Sequence, residues 1–216
     1  MVIISALLSA TSSGRRRNMN DLYILFEKSN SMIGKLGRIF MSYPYTHVTI
    51  SFDGENYHSF SRRHLHDPFD AGLTEEKLAY FAYEEVEVKI YKTKITDEEK
   101  QKIISFMDKV KDYPFDVVDM ITMPLVHGYR NNRAYNCMSF VAEVLTILNY
   151  PLPNRLYKNS IEDIENALIA KGVKGEIVKL PSQIDEEYMK KIGLGQKIRS
   201  CYRLFNKLYG KDQSKN

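Results

Sequence analysis

Two segments, met in a fixed order, restrict this chain more than anything else in it. The strand-like run Thr46-His47-Val48-Thr49-Ile50-Ser51-Phe52 opens on a histidine, and the later helix-like run Asn136-Cys137-Met138-Ser139-Phe140-Val141-Ala142-Glu143-Val144-Leu145 opens on a cysteine. The first alternates, with Val48, Ile50 and Phe52 on one side and His47, Thr49 and Ser51 on the other. That pattern predicts one core face and one face that walls a site. The second carries Phe140, Val141, Val144, Leu145 and Leu148 on one helical stripe,. With Asn136 as cap, Cys137 falls in the first turn, where unpaired amides and the helix dipole favour a thiolate.

The remaining elements follow from period and punctuation. Asn20 to Phe26 reads as a first strand, and Met32, Ile33, Leu36, Ile39 and Phe40 have helical spacing before Tyr43-Pro44-Tyr45 breaks it. Asp53-Gly54-Glu55-Asn56 signals a turn into a second arm, Tyr57-His58-Ser59-Phe60. Residues 61 to 84 lack a firm period and read as loop, with one helical turn at most. Glu85 to Lys92 alternates as a third strand, and Thr96 with Glu99 is a capping-box start for a helix through Ile103, Phe106 and Val110. Pro124 and Gly128 argue against one long helix over 113 to 136. Pro151 and Pro153 close the Cys137 helix, Ser160 caps another that ends at Gly172, and Glu176 to Leu180 is a late strand. Strands and helices in this order predict an α+β domain.

Composition narrows the class. The 216 residues suffice for one buried core, and 31 basic against 27 acidic residues leave +4, too little to imply a nucleic-acid partner,. Two cysteines, Cys137 and Cys201, form neither a disulfide framework nor paired zinc spacing, and a reducing cytoplasm is the simplest compartment,. The apolar start precedes Arg15, Arg16 and Arg17, the reverse of a secretory signal. We therefore divide the chain into a disordered extension over 1–18, a domain over 19–189 and a basic amphipathic segment over 190–216. That last segment is expected either to dock on its own domain or to lie on a membrane surface.

A free cysteine on an apolar helix is ordinarily a small core residue, and a strand histidine an ordinary polar one. Their joint placement carries the functional reading: Cys137 as nucleophile, His47 as the proton shuttle, and His58 holding His47 in one tautomer, with Asp53 as the alternative orienter. The hairpin register decides whether the two histidines share a face. The amide of Cys137 supplies part of an oxyanion site, with Asn136 as the supporting cap. His58, His64 and His66, with Asp67 beside them, do not make up four metal ligands at the right spacing, and Arg62 and Arg63 would repel a cation, so no metal and no cofactor is expected. Cys201 reads as an incidental thiol.

The order histidine then cysteine, with the segments Tyr45-Thr46-His47-Val48-Thr49-Ile50, Tyr57-His58-Ser59-Phe60, Tyr113-Pro114-Phe115-Asp116 and Tyr135-Asn136-Cys137-Met138-Ser139-Phe140-Val141, resembles the circularly permuted papain-like group of the NlpC superfamily, particularly its YiiX-type members. The resemblance implies a permuted papain-like fold with an antiparallel sheet against the nucleophile helix. It also implies a thiol hydrolase or acyltransferase working through an acyl-enzyme, with Tyr135 near the oxyanion. Many YiiX-type members carry Glu where His58 stands, and Met138 replaces the serine that usually follows their cysteine. A histidine in the third place is similar instead to the lecithin:retinol acyltransferase branch. Three functions are therefore open: a cysteine amidase or peptidase, including action on peptidoglycan-type bonds; a lipid acyltransferase or phospholipase at a membrane surface; and a non-catalytic papain-like binding module. The expected partners are a small-molecule, peptide or lipid acyl substrate, with peripheral membrane contact in the second case.

Overall fold

The computed structural model describes residues 18–28, 43–77, 85–117, 133–153 and 159–210. Within them six strands form one antiparallel sheet, accompanied by four helices, in an α+β arrangement. The strands are β1 (Met19–Glu27), β2 (His47–Ser51), β3 (Asn56–His64), β4 (Asp67–Lys77), β5 (Val86–Thr96) and β6 (Gly175–Leu180). Their spatial order is β4-β3-β2-β1-β5-β6. The helices are α1 (Asp97–Val110), α2 (Cys137–Ile147), α3 (Ile161–Ala170) and α4 (Leu194–Tyr209).

The helix starts obey the local chemistry read from sequence. Thr96 Oγ1 accepts from the Glu99 amide at 3.2 Å while Glu99 Oε2 accepts from the Thr96 amide at 2.8 Å, a reciprocal capping box,. Ser160 and Asp163 do the same for α3, which gives way to Gly172 at φ +75°, a backbone conformation suited to glycine,. Helix α2 stops at Ile147, ahead of its two prolines, because Asn149 already turns left-handed at φ 56°. The short polar side chain of asparagine tolerates that region.

The main core lies where one sheet face meets α1, α2 and α3. Ile24, Phe26, Val48, Ile50 and Phe60 pack there against Phe140, Val141, Val144 and Leu145, and α4 adds Leu204 and Leu208. Phe140 is fully buried, stacked on Phe106 with ring centroids 5.7 Å apart, with Phe60 at the same separation. Phe140→Ala is expected to cost about 3–5 kcal/mol in a denaturant titration, since the void cannot be refilled by side chains already in contact.

Two expectations need correction. The polar side of β2 is no open wall: Thr49 and Ser51 are fully buried on a second face that holds Leu25, Tyr57, Val86 and Val88. Their hydroxyls are satisfied internally, Thr49 Oγ1 donating to the His58 carbonyl at 2.9 Å and Ser51 Oγ to Asp53 Oδ1 at 2.8 Å, so burial costs them little,. Residues 61 to 77, read as loop, are instead the remainder of β3, a turn at Leu65 and His66, and all of β4. Phe69, Ala71 and Leu73 give β4 the period of a strand and pack against the core. Charged neighbours, Pro68 and Gly72 hide that alternation in sequence. The helix read over 32 to 40, the extension over residues 1–17 and most of the irregular stretch after Tyr113 lie outside the described residues.

Candidate active site

The first turn of α2 and the first residue of β2 meet, and the Cys137 side chain lies close enough to the His47 ring to help hold a proton on it. Helix α2 begins where it does because Asn136 caps it: its Oδ1 accepts from the Ser139 amide at 2.9 Å, and Ser139 Oγ accepts from the Asn136 amide at 2.9 Å. The first backbone helix bond runs from the Phe140 amide to the Asn136 carbonyl at 3.0 Å. That pattern leaves the amides of Cys137 and Met138 at the N-terminal end without intrahelical acceptors. They and the sulfur lie at the positive end of the helix. Cys137 is half-buried, packed against the core on one side and open on the other.

The segment ahead of the cap is fixed by a short parallel bridge between Phe115 and Tyr135. The Asp116 amide donates to the Tyr135 carbonyl at 2.8 Å, and the Tyr135 amide to the Pro114 carbonyl at 3.2 Å. The Tyr135 ring sits among Phe60, Phe106 and Tyr113, at centroid separations of 5.3, 5.7 and 6.0 Å. Tyr135 thus anchors the approach to the cysteine through its backbone and its ring. Asn136→Ala removes the side-chain half of the capping box, the bond from the Ser139 amide to Oδ1, and is expected to cost about 1 kcal/mol, with slower alkylation of Cys137 as the visible consequence,.

The orienting partner of His47 is Glu76, a residue the sequence reading missed. His47 Nε2 lies 3.0 Å from Glu76 Oε2 and 3.2 Å from Oε1. An ionised carboxylate only accepts, so Nε2 carries the hydrogen and Nδ1 is the nitrogen left for the thiol. Glu76 is almost completely buried, held by β4 beside Tyr57 of β3. The pairings Ser51 with Tyr57 and Tyr57 with Glu76 put Glu76 in phase with Ser51, and hence with His47,.

The same register removes His58 from the role expected of it. His58 pairs with Ile50, so it is in phase with the core face and out of phase with His47,. Burial pulls the His58 imidazole below its ordinary value, opposed by the charge of Glu75. Asp53, the alternative orienter, is committed to the hairpin turn, where it accepts from Ser51 Oγ, the Glu55 and Asn56 amides and Asn56 Nδ2. Those bonds hold its carboxyl far below the usual carboxylate range,. The loop reading of β4 explains the miss, because without that strand no acidic residue has a register against His47.

The imidazole of His47 is raised well above its ordinary value: burial opposes the charged ring, but the Glu76 carboxylate and the Cys137 side chain outweigh it,. Stability drawn from that charge is fully present below about pH 6.5, the ordinary imidazole value, and is lost as pH rises through the raised one,. The stability difference between the parent and Glu76→Gln should therefore shrink as pH climbs from neutral into the alkaline range, measured by urea denaturation at several pH values.

Of the other histidines, His64 Nδ1 hydrogen-bonds the Glu187 carbonyl at 3.1 Å and its Nε2 lies 3.7 Å from Asp70 Oδ2. Among the described residues no group of three or more His, Cys, Asp or Glu side chains is arranged to hold a metal ion. Cys201 is a free, half-buried thiol on α4. No helix among the described residues is long and apolar enough to cross a membrane. No family model, curated protein or solved structure matches this chain.

Proposed function

We propose that this protein is a thiol-dependent hydrolase that cleaves an amide bond through an acyl-enzyme, with Cys137 as nucleophile, His47 as acid–base group and Glu76 as the residue that positions His47. One observation carries the reading: at the start of a capped helix a cysteine stands beside the ring of a histidine that a buried carboxylate holds through Nε2. This arrangement, in the order histidine, carboxylate, cysteine along the chain, supports the circularly permuted papain-like resemblance, with the carboxylate supplied by β4 and not by the position where His58 stands.

The chemistry follows from the groups present. His47 takes the thiol proton and the sulfur attacks the carbonyl carbon, forming an S–C bond while the carbonyl electrons move to oxygen. The amides at the head of α2 stabilise that oxyanion. His47 then delivers its proton to the leaving nitrogen as the C–N bond breaks, and the amine departs. Water enters, gives a proton to His47 and attacks the thioester. The S–C bond breaks, a carboxylic acid leaves and the sulfur recovers its proton. Glu76 keeps the hydrogen on Nε2 throughout, so Nδ1 always faces the sulfur.

The test is trapping. The protein is incubated with a panel of N-acyl chromogenic amides, quenched in acid, digested and examined by mass spectrometry. An acyl adduct on the peptide that contains Cys137, discharged on longer incubation, is the expected result. Amide turnover with no adduct on that peptide at any time would sink the assignment.

A further inference from the structure

We propose that the outer face of α4 docks the protein on an anionic lipid surface. The helix carries two apolar stripes side by side. Ser200, Leu204 and Leu208 are buried against the domain, where α4 packs on β4. The next stripe round the helix, Leu194, Ile198, Tyr202, Phe205 and Tyr209, is left open by the described residues: these side chains are 75%, 61%, 69%, 46% and 64% exposed. Spacings of three and four residues line them along a single edge of the helix. The Phe205 and Tyr209 rings stack on one another at 5.9 Å, so the edge ends in a flat aromatic step.

Charge decides what covers that edge. Lys197, Arg199, Arg203 and Lys207 lie on this helix, and from Tyr188 to Lys211 the chain has no Asp or Glu. Among the described residues none of the four is paired with a carboxylate: Arg203 Nη2 donates to Ser200 Oγ at 3.3 Å and Lys207 Nζ to the Asp112 carbonyl at 3.2 Å. A second copy of the same helix laid on the stripe would set its own Lys197 and Arg199, which flank the stripe, against the same pair, with no carboxylate on either helix to offset them,. A nucleic acid would satisfy the cations but leave the aliphatic side chains in water. An interface rich in anionic lipid accepts both, with aliphatic and aromatic groups entering the headgroup boundary while the long basic side chains reach lipid phosphates and carboxylates.

Vesicle flotation with the full chain tests this, using phosphatidylcholine alone and phosphatidylcholine mixed with phosphatidylserine. The parent is expected to float with the mixed vesicles and not with the neutral ones, and to be released by high salt. Two variants on exposed positions, Ile198→Asn with Tyr202→Asn and Arg199→Glu with Arg203→Glu, should each weaken binding by about tenfold or more with unchanged melting temperature. Failure of the parent to float overturns the proposal, as does equal binding to neutral vesicles or undiminished flotation of both variants. A concentration-dependent dimer in light scattering that the same variants dissolve, without vesicle binding, would assign the face to a second copy instead. The outcome is independent of the Cys137 chemistry, because none of the substituted residues belongs to the candidate active site.

Discussion

Cys137→Ala is expected to eliminate acyl-enzyme formation and reduce amide turnover by on the order of 10³-fold or more, with little change in stability. The large effect on rate follows from position: no other thiol stands at the head of α2, and Cys201 is far along the sequence on α4. The small effect on stability follows from the half-buried setting, where losing one sulfur leaves no closed void,. Cys137→Ser should fare almost as badly. A hydroxyl gives up its proton to imidazole far less readily than a thiol does, and nothing in the site compensates. Cys201→Ala should turn over at the parental rate, which distinguishes a nucleophile from a general sensitivity to thiol loss.

Glu76→Gln is the second substitution with a large expected effect, about 10- to 100-fold on kcat. The amide side chain keeps the volume but removes the charge that contributes most to raising His47, and it lets the ring adopt the wrong tautomer,. The pH profile carries the distinguishing information. The imidazole resonance of His47, followed by NMR, should titrate at lower pH in Glu76→Gln than in the parent, and the limb of the rate profile that reports His47 should move the same way. A merely structural role for Glu76 would lower activity without moving that titration. His58→Ala provides the contrast: with His58 in register with Ile50 on the core face, it should leave the His47 titration in place.

How much of this was legible beforehand depends on how local each signal is. The capping boxes at Thr96 and Ser160 and the cap at Asn136 are written in four consecutive residues each, so the helix starts could be read directly,. The alternation of β2 and the hairpin turn at Asp53 were equally local. What could not be read was non-local. The in-phase relation of His47 and Glu76 depends on β3 and β4 pairing over their whole length, including a shift between Arg62 and His64, and no short window contains that information,. The burial of Thr49 and Ser51 likewise requires knowing that a second apolar cluster forms around Tyr57. The reading of the hairpin led toward His58 because it stood on the arm that pairs with the His47 strand. One residue of register separates that segment's histidine from the strand face that pairs with Glu76.

The central claim is that His47 activates Cys137, and the rate at which iodoacetamide modifies each cysteine at neutral pH measures it most directly. Cys201, also free and half-buried, is the reference within the same molecule. Cys137 should react faster than Cys201 in the parent, and His47→Ala should slow Cys137 alone by on the order of tenfold or more. Equal rates for the two cysteines, or a Cys137 rate indifferent to the loss of His47, would contradict the account.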